Sequence, residues 1–407
     1  LALRGEKFDG HNFLEQAVQK GALGLIAEEL PSDFETDLPC ILVEDTLKAY
    51  QELAHNYRLK MNPQVIAVTG SNGKTSTKEM LKNLFELKGQ TQATYANENN
   101  EIGVPKTIFK LKQDDQFLVA ECGMRGLGQI ELLSKILSPD LSLITSIGTN
   151  HIGVVGSREK IAQAKCEIFV NQKDGATAVI PSWEALIEPW KKIHAKRLNF
   201  IEFNKPSSIE FLDGIFKFTY RSYSYQLRTL NIALLENACA VIEVGLHYGF
   251  SPEEINSSFA KFEAGGGRGK IQTTSQGALL LDESYNASID SVIALSKSIN
   301  AIADAKTKVL ILGQMAEMGD FGSELLKNLS SEIKRYLDTL ILIGDELKIL
   351  AEDIGTKAIW LKDKQALFDY LETEKGRKLN SQSSVIGVKA SRVEKFEEIV
   401  LHLTLKN

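Results

Sequence analysis

The sequence is short of cysteine, has no long apolar run and carries no excess of positive charge. Only four cysteines occur in 407 residues, Cys40, Cys122, Cys166 and Cys239. They lie far apart with no C-x-x-C pair, which speaks against a zinc site or a disulfide framework and for a reducing, cytoplasmic setting. The longest apolar runs, such as Thr339 to Ile343, are of strand length and far below the ~20 residues that span a bilayer. No membrane partner is expected. With 47 Lys+Arg against 53 Asp+Glu the formal net charge is −6, so no global basic field invites nucleic acid. Any anionic ligand must be held by local devices. No fixed-period repeat or low-complexity tract stands out. There is also no initiating Met or leader-like segment: the chain opens in what reads as a strand, Leu1 to Leu3, so residues upstream are expected.

What is present is an alternation of short apolar runs and helical patterns. The runs are Val65 to Thr69, Phe117 to Glu121, Leu141 to Ile147, Ala176 to Ile180, Ala278 to Leu281, Lys308 to Leu312, Thr339 to Ile343, Ala358 to Leu361 and Ser384 to Val388. Strands alternating with helices point to an α/β chain with mostly parallel sheets. At roughly 150 residues per domain the length allows two or three domains. Joints are expected near residue 60, after the amphipathic segment Thr46 to Tyr57, and near residue 265, where Gly265, Gly266 and Gly267 cannot hold regular structure cheaply. The expected domains are 1–60, 61–265 and 266–407. The stretch Phe216 to Gln226 mixes aromatic and basic residues, but its alternation reads as a surface hairpin rather than a nucleic-acid platform.

Thr69-Gly-Ser-Asn-Gly-Lys-Thr75 follows a β-branched strand and precedes a helical pattern from Lys78. This is the setting of a phosphate loop, although the usual G-x-x-x-x-G-K-[ST] spacing fails because Val68 stands five before Gly73. Backbone N–H groups at Gly70, Ser71, Asn72, Gly73, Thr75 and Ser76 would approach phosphate oxygens, helped by the helix N-terminus. Lys74 would neutralise the outer phosphates and Thr75 would ligate Mg2+. An ordinary strand-turn-helix with a surface lysine is the plainer reading. Glu121 ends an apolar strand where a carboxylate would face the mouth of a parallel sheet, and burial there would favour a metal partner. A solvent-exposed edge acid is the alternative. His151 follows the next strand in a glycine-spaced loop, and Lys165 lies on the helix after it. Each alone reads equally as a satisfied or solvated residue.

Together these segments resemble the Mur ligase family of ATP-dependent amide-forming enzymes. That family has the shortened G-x-x-G-K-[ST] loop, a strand-end Glu, a His after the next strand and a Lys opening an A-K-x-E-[IL]-F helix, all in this order. Within it the chain is most similar to the MurF type, on Ala2 to His11, Asn99-Asn-Glu-Ile-Gly-Val-Pro105, Glu236-Asn-Ala238, Gly267-Arg268, Ser284-Tyr-Asn-Ala287, Leu312 to Gly319 and Val388-Lys-Ala-Ser-Arg392. The resemblance implies three domains: a small N-terminal α/β domain for the UDP-substrate, here truncated, a central ATPase domain with a parallel sheet, and a C-terminal Rossmann-like domain. It implies a cytoplasmic enzyme, taken as a monomer, that joins D-alanyl-D-alanine to UDP-N-acetylmuramoyl-tripeptide through an acyl phosphate, with release of ADP, in peptidoglycan precursor synthesis.

The resemblance also implies residue roles. Lys74, Glu121, His151, Lys165 and Arg268 would be catalytic, with two Mg2+ ions held by Thr75, Glu121, His151 and a Lys165 carboxylated on Nζ by CO2. Carboxylation needs the neutral amine, and from a reference pKa of ~10.4 only about one in 2,500 is neutral at pH 7, so burial and nearby positive charge would have to lower it. Asn237 would lie near the adenine, Arg268 at the γ-phosphate, and Asn99, Asn100, Tyr285 and Asn286 beside the substrates. Lys389 and Arg392 resemble a C-terminal K-G-S-R motif.

Several positions depart from the pattern. Glu283 stands where the ribose aspartate is expected, with Asp282 before it as a substitute. Gln314 replaces an aspartate, Leu326 a histidine and Ala390 a glycine. The segment that holds the UDP end would precede Leu1, which leaves Arg4, Asp9 and His11 as candidates for substrate contact or as plain turn residues. The competing readings are another Mur-type or folylpolyglutamate-like ligase adding a single amino acid, and a nucleotide switch without ligase activity, which would have no need of His151 and Lys165.

Overall fold

The computed structural model describes residues 1–5, 7–212, 214–302 and 305–405; Glu6, inside the Ala2 to His11 segment, lies outside them. Two short ladders begin the chain. Strands β1 (Arg4–Gly5) and β2 (Phe8–Asp9) pair antiparallel, while β3 (Leu25–Ala27) and β4 (Cys40–Leu42) pair parallel around helix α1 (Leu14–Gln19). Their core is small: Ala2, Leu14, Leu25 and Ala27. Arg4 bonds Asp9, Glu28 and Glu29, and His11 bonds Asp9 and the Glu28 amide. These three candidates for substrate contact are therefore committed within their own unit.

Helix α2 (Thr46–Met61) is capped by the Asp45 side chain and ends at Asn62 in a left-handed conformation ahead of Pro63, a stop that Asn tolerates and Pro enforces. Its Ala54, Tyr57 and Met61 pack into the central core. By packing, the central unit thus reaches back into α2 as far as Ala54, while Thr46 at the start of the helix bonds Glu28 of the first unit.

The central sheet holds β5 (Gln64–Thr69), β6 (Thr91–Ala93), β7 (Phe117–Glu121), β8 (Leu141–Ile144), β9 (Thr177–Pro181) and β10 (Asn199–Phe203). All neighbours are parallel, in the order β10-β9-β8-β5-β7-β6. Successive β5 residues serve opposite faces, Val65 and Ala67 entering one apolar cluster and Ile66 and Val68 the other. A strand buried on both faces reads as a continuous apolar run, which is why β5, β7 and β8 were legible. Helices α3 (Lys74–Phe85), α4 (Gly103–Ile108), α5 (Gln129–Leu137), α6 (Ile152–Val155), α7 (Arg158–Cys166), α8 (Glu188–His194), α9 (Ala233–His247) and α10 (Pro252–Phe259) accompany it. The β8 strand stops at Ile144 rather than Ile147. From Thr145 onward the backbone turns to the phosphate loop, with Ser71 donating to the Ser146 carbonyl and Gly148 to the Ser71 hydroxyl.

The aromatic stretch is the expected hairpin, turning at Arg221 and Ser222, but only one of its faces meets solvent. It forms two strands of an antiparallel meander, β11 (Ser207–Leu212), β12 (Ile215–Tyr220) and β13 (Tyr223–Arg228). Phe216, Phe218, Tyr220, Tyr225 and Leu227 lie buried against α9 and α10. The alternation was read correctly; its apolar half serves the core. Phe218→Ala is therefore expected to destabilise the central domain by about 3–5 kcal/mol, seen as a lowered denaturant midpoint, with Lys217→Ala on the outer face as the silent control.

The C-terminal sheet comprises β14 (Lys270–Thr273), β15 (Leu279–Asp282), β16 (Thr307–Leu312), β17 (Thr339–Ile343), β18 (Ala358–Leu361) and β19 (Ser384–Lys389). Its order is β14-β15-β19-β16-β17-β18, parallel throughout except at the β14 edge. Helix α11 (Ile289–Ala301) opens with a Ser288/Ser291 capping box, and α12 (Gly322–Ile333) follows the loop after β16. Leu326, where a histidine was expected, is buried in this core. Ala390 is tolerated because Gly313 faces it: a Cβ on Gly313 would lie 2.9 Å from the Ala390 Cβ. No helix among the described residues is long and apolar enough to cross a membrane.

Candidate active site

Carboxyl ends of adjacent parallel strands gather loops at one edge of a sheet, where open α/β sheets bind ligands. Here β7, β5 and β8 bring Glu121, the phosphate loop and the His151 loop together. The C-terminal domain covers them and encloses a cavity of about 760 Å3.

The phosphate loop depends on two glycines. Gly70 has φ 146° and a Cβ there would sit 1.9 Å from the Thr145 hydroxyl; Gly73 has φ 78° and a Cβ would sit 2.1 Å from the Asn237 amide nitrogen. No side chain fits at either place. Gly73 caps α3, whose first N–H groups have no intrahelical partner and face the cavity mouth. Lys74 Nζ folds back onto the carbonyls of Gly70 (2.7 Å) and Ser71 (3.3 Å). Burial lowers its pKa, the Glu121 charge opposes that, and Arg268 adds to it.

Glu121 is 2 % exposed. It accepts from the Thr75 hydroxyl and from the Asn99 amide, both at 2.7 Å, and its own N–H donates to the Thr94 hydroxyl. Among the described residues no lysine or arginine is ion-paired with it. A buried carboxylate served only by neutral donors is an expensive arrangement that a cation relieves. No three His, Cys, Asp or Glu side chains among the described residues cluster as a metal cage. Hard oxygens from Thr75 and Glu121 suit Mg2+, which takes one or two carboxylates plus phosphate oxygens and water.

The C-terminal domain contributes the opposite wall. Arg268 donates to the Thr75 hydroxyl and stacks over the Tyr285 ring at 3.8 Å, with Arg392 at 5.5 Å from the same ring. Glu283, rather than Asp282, lines the cavity; it accepts from Asn231 Nδ2 at 2.7 Å and lies 3.3 Å from Lys389 Nζ. Asp282 is occupied with the Ser284 amide and hydroxyl. On α11, Asp290 accepts from the Thr149 N–H and hydroxyl at 2.8 and 2.9 Å.

Of the expected residues, Ser71, Asn72, Gly73, Lys74, Thr75 and Ser76 line the cavity, as do Asn99, Glu121, His151 and Asn237 and, from the other side, Arg268, Glu283, Tyr285 and Asn286. Gly70 shapes the loop from behind. Asn100 does not reach the cavity: it is exposed, and its side chain accepts from the Ile102 and Gly103 N–H groups at the start of α4. Asn237 lies over Gly73, at the phosphate end. Lys165 does not line the cavity either; it is 2 % exposed on α7. Burial, and then the charge of Lys74, hold its pKa well below the usual lysine value.

Sequence reasoning missed the residues that close the joint. Asn231 and Asp290 carry no local pattern, Glu317 and Ser391 lie inside the Leu312 to Gly319 and Val388 to Arg392 segments without a role of their own there, and Arg125 follows Glu121 outside any motif. A second cavity of about 330 Å3 adjoins the first through His151 and Asn286 and is bordered by Arg125, Glu317, Ser391 and Arg392. The Ser391 hydroxyl is buried there without a hydrogen-bond partner.

Known proteins share the sequence and the fold. The family models for the Mur ligase middle domain and the Mur ligase, glutamate ligase domain match residues 68–246 and 267–389. The UDP-N-acetylmuramoyl-tripeptide--D-alanyl-D-alanine ligase of Synechocystis sp. is 35% identical over 88% of this chain and 77% of its own. A crystal structure of MurF from Acinetobacter baumannii superposes with a TM-score of 0.90 at 27% identity, covering 99% of this chain and 89% of that one. MurF from Thermotoga maritima in complex with ADP gives 0.86 at 26%, covering 99% and 93%. With both its nucleotide-loop domain and its covering domain matched in order, the chain belongs to the Mur ligase family, in its MurF branch.

Proposed function

We propose that the protein is an ATP-dependent, ADP-forming ligase that adds D-alanyl-D-alanine to UDP-N-acetylmuramoyl-tripeptide in the cytoplasm, acting as a monomer. The observation that carries the reading is the pair of adjoining cavities at the domain joint, one ending on a phosphate loop and the other bordered by two guanidiniums. The relatives' names supply the substrates. A switch that only bound nucleotide would have no use for the second cavity.

The chemistry makes defined demands on these side chains. A carboxylate oxygen of the tripeptide attacks the γ-phosphorus of ATP; that O–P bond forms as the bond to the β,γ-bridging oxygen breaks and ADP leaves. Two anions approach, so Lys74 and Arg268 serve by neutralising charge that grows on the transferred group. Thr75, Glu121 and His151 are suited to hold Mg2+, which would draw further charge from the phosphate oxygens. The dipeptide amine then attacks the acyl carbon, loses a proton, and the C–O bond to phosphate breaks. Water must be excluded while the acyl phosphate waits, and the docked C-terminal domain serves that end.

The second cavity suits the incoming dipeptide. Arg125, Arg392 and the unpartnered Ser391 hydroxyl offer donors to a carboxylate. Arg125→Met is expected to raise the KM for D-Ala-D-Ala about tenfold, the scale of one charged hydrogen bond, with kcat for ATP turnover nearly unchanged. Steady-state kinetics with varied dipeptide check this. Substrate identity is tested with a panel of D-Ala-D-Ala, L-lysine, diaminopimelate and glutamate, scored by mass of the UDP-linked product. Equal product with a single amino acid would overturn the dipeptide assignment.

A further inference from the structure

Two strained residues meet across the joint. His151 caps α6 with φ 66°, and Glu317, in the loop after β16, has φ 64°. Side chains with a Cβ rarely adopt this left-handed backbone, and such strain persists where the surroundings impose it, often for function. His151 Nδ1 lies 2.5 Å from Glu317 Oε2. The approach is close but not aligned as a hydrogen bond. The backbones are also joined: the Gly153 N–H donates to the Glu317 carbonyl at 2.9 Å, and a Cβ on Gly153 would lie 2.6 Å from that oxygen. Gly153 therefore lets the two loops touch.

We propose that Glu317 is a positioning residue for His151, acting from the C-terminal domain on a side chain of the central domain. A carboxylate lying against Nδ1 favours a proton on that nitrogen through its charge, restricts the ring's rotation and leaves Nε2 as the nitrogen for the reaction, as carboxylates behind metal-serving histidines do. Because Glu317 reaches the ring only when the domains dock, His151 becomes ordered for work only in the closed enzyme. The nearby Asp290–Thr149 contact secures the same loop two residues earlier. Closure thus organises the chemistry as well as excluding water, a form of gating.

The inference rests on the ligase reading above. Amine-dependent phosphate release by the wild type tests that reading, whereas the comparison of wild type with variants tests this one. Glu317→Gly is the informative change: glycine favours the left-handed backbone and retains the carbonyl that Gly153 uses, so only the carboxylate is lost. We expect kcat to fall about tenfold, with the KM for ATP within about twofold. The Mn2+ half-saturation of the protein–nucleotide complex, read from the EPR signal of free Mn2+, should rise about fivefold. The melting temperature should be unchanged or higher. Glu317→Gln, which keeps an acceptor oxygen, should fall between. Wild-type kcat and Mn2+ affinity in Glu317→Gly would overturn the proposal, as would a loss of kcat accompanied by a matching fall in melting temperature.

Discussion

Lys74→Ala is expected to lower amine-dependent phosphate release by about 10^2–10^3-fold while leaving the fold intact. The ammonium sits on the Gly70 and Ser71 carbonyls, at the mouth where α3 offers its free N–H groups. Without it, two carbonyl oxygens would face the incoming phosphate with no cation between, and a donor aimed at developing charge in a water-poor site is worth several powers of ten. Stability should move the other way. Burial holds the Lys74 pKa below 10.5, so between the folded value and 10.5 the unfolded chain binds more protons than the folded one. The lysine's burden on the fold is greatest below its folded pKa and fades as pH rises towards 10.5. Lys74→Ala should therefore melt no lower than wild type at about pH 7, and any advantage should shrink by about pH 10. Paired kinetics and melting curves check both statements. An inactive variant that also melts much lower would mean that the lysine holds the loop together rather than serving phosphate.

Lys165→Ala should be the next most damaging change, about a hundredfold in kcat, on the scale of a lost partner behind a metal site. Its amine is buried beside the charge of Lys74, and both push its pKa down. An ammonium here would repel every cation that the phosphate chemistry needs, whereas the neutral amine can take up CO2 with loss of a proton and become an anion. Three results are expected together. Lys165→Ala loses activity; acetate or another short carboxylic acid restores part of it; and wild-type enzyme in CO2-depleted buffer loses activity that bicarbonate returns. Loss without rescue by any short acid would contradict the carboxylated form. Cys166 gives an internal comparison on the same helix: burial raises its thiol pKa far above the usual value. Desolvation thus opposes charge of either sign here, so a carboxylated Lys165 requires a cation beside it.

The parts of the site that were legible in the sequence are those set by local spacing. The bounds of β7 and β17 coincide with their apolar runs, because strands buried on both faces leave no polar interruption, and those of β18, a half-buried edge strand, coincide because its four residues are all apolar. Glu121 was findable for the same reason, as an acid that ends such a run. The edge strands β6 and β10 were missed since only part of each is buried and their residues mix polar with apolar. The hairpin was legible but its cover and third strand were not, because period-2 alternation states that one face is covered without saying by what; here α9 and α10 cover it. Asn99 and Asn100 look alike in sequence, yet only Asn99 turns to Glu121, while the next side chain is used to start α4. Least legible were Asp290, Glu317 and Ser391. Their partners lie more than a hundred residues away or, for Ser391, in a cavity bordered by residues of both domains, and no periodicity within one element encodes that meeting.

The central claim is that phosphate passes from ATP to a carboxylate on the way to an amide. The most direct measurement uses UDP-N-acetylmuramoyl-tripeptide whose terminal carboxylate carries 18O in both oxygens, with ATP and D-Ala-D-Ala, followed by mass analysis of both products. The account requires one 18O in the released inorganic phosphate and one in the new amide carbonyl. Unlabelled phosphate formed in step with product would contradict it.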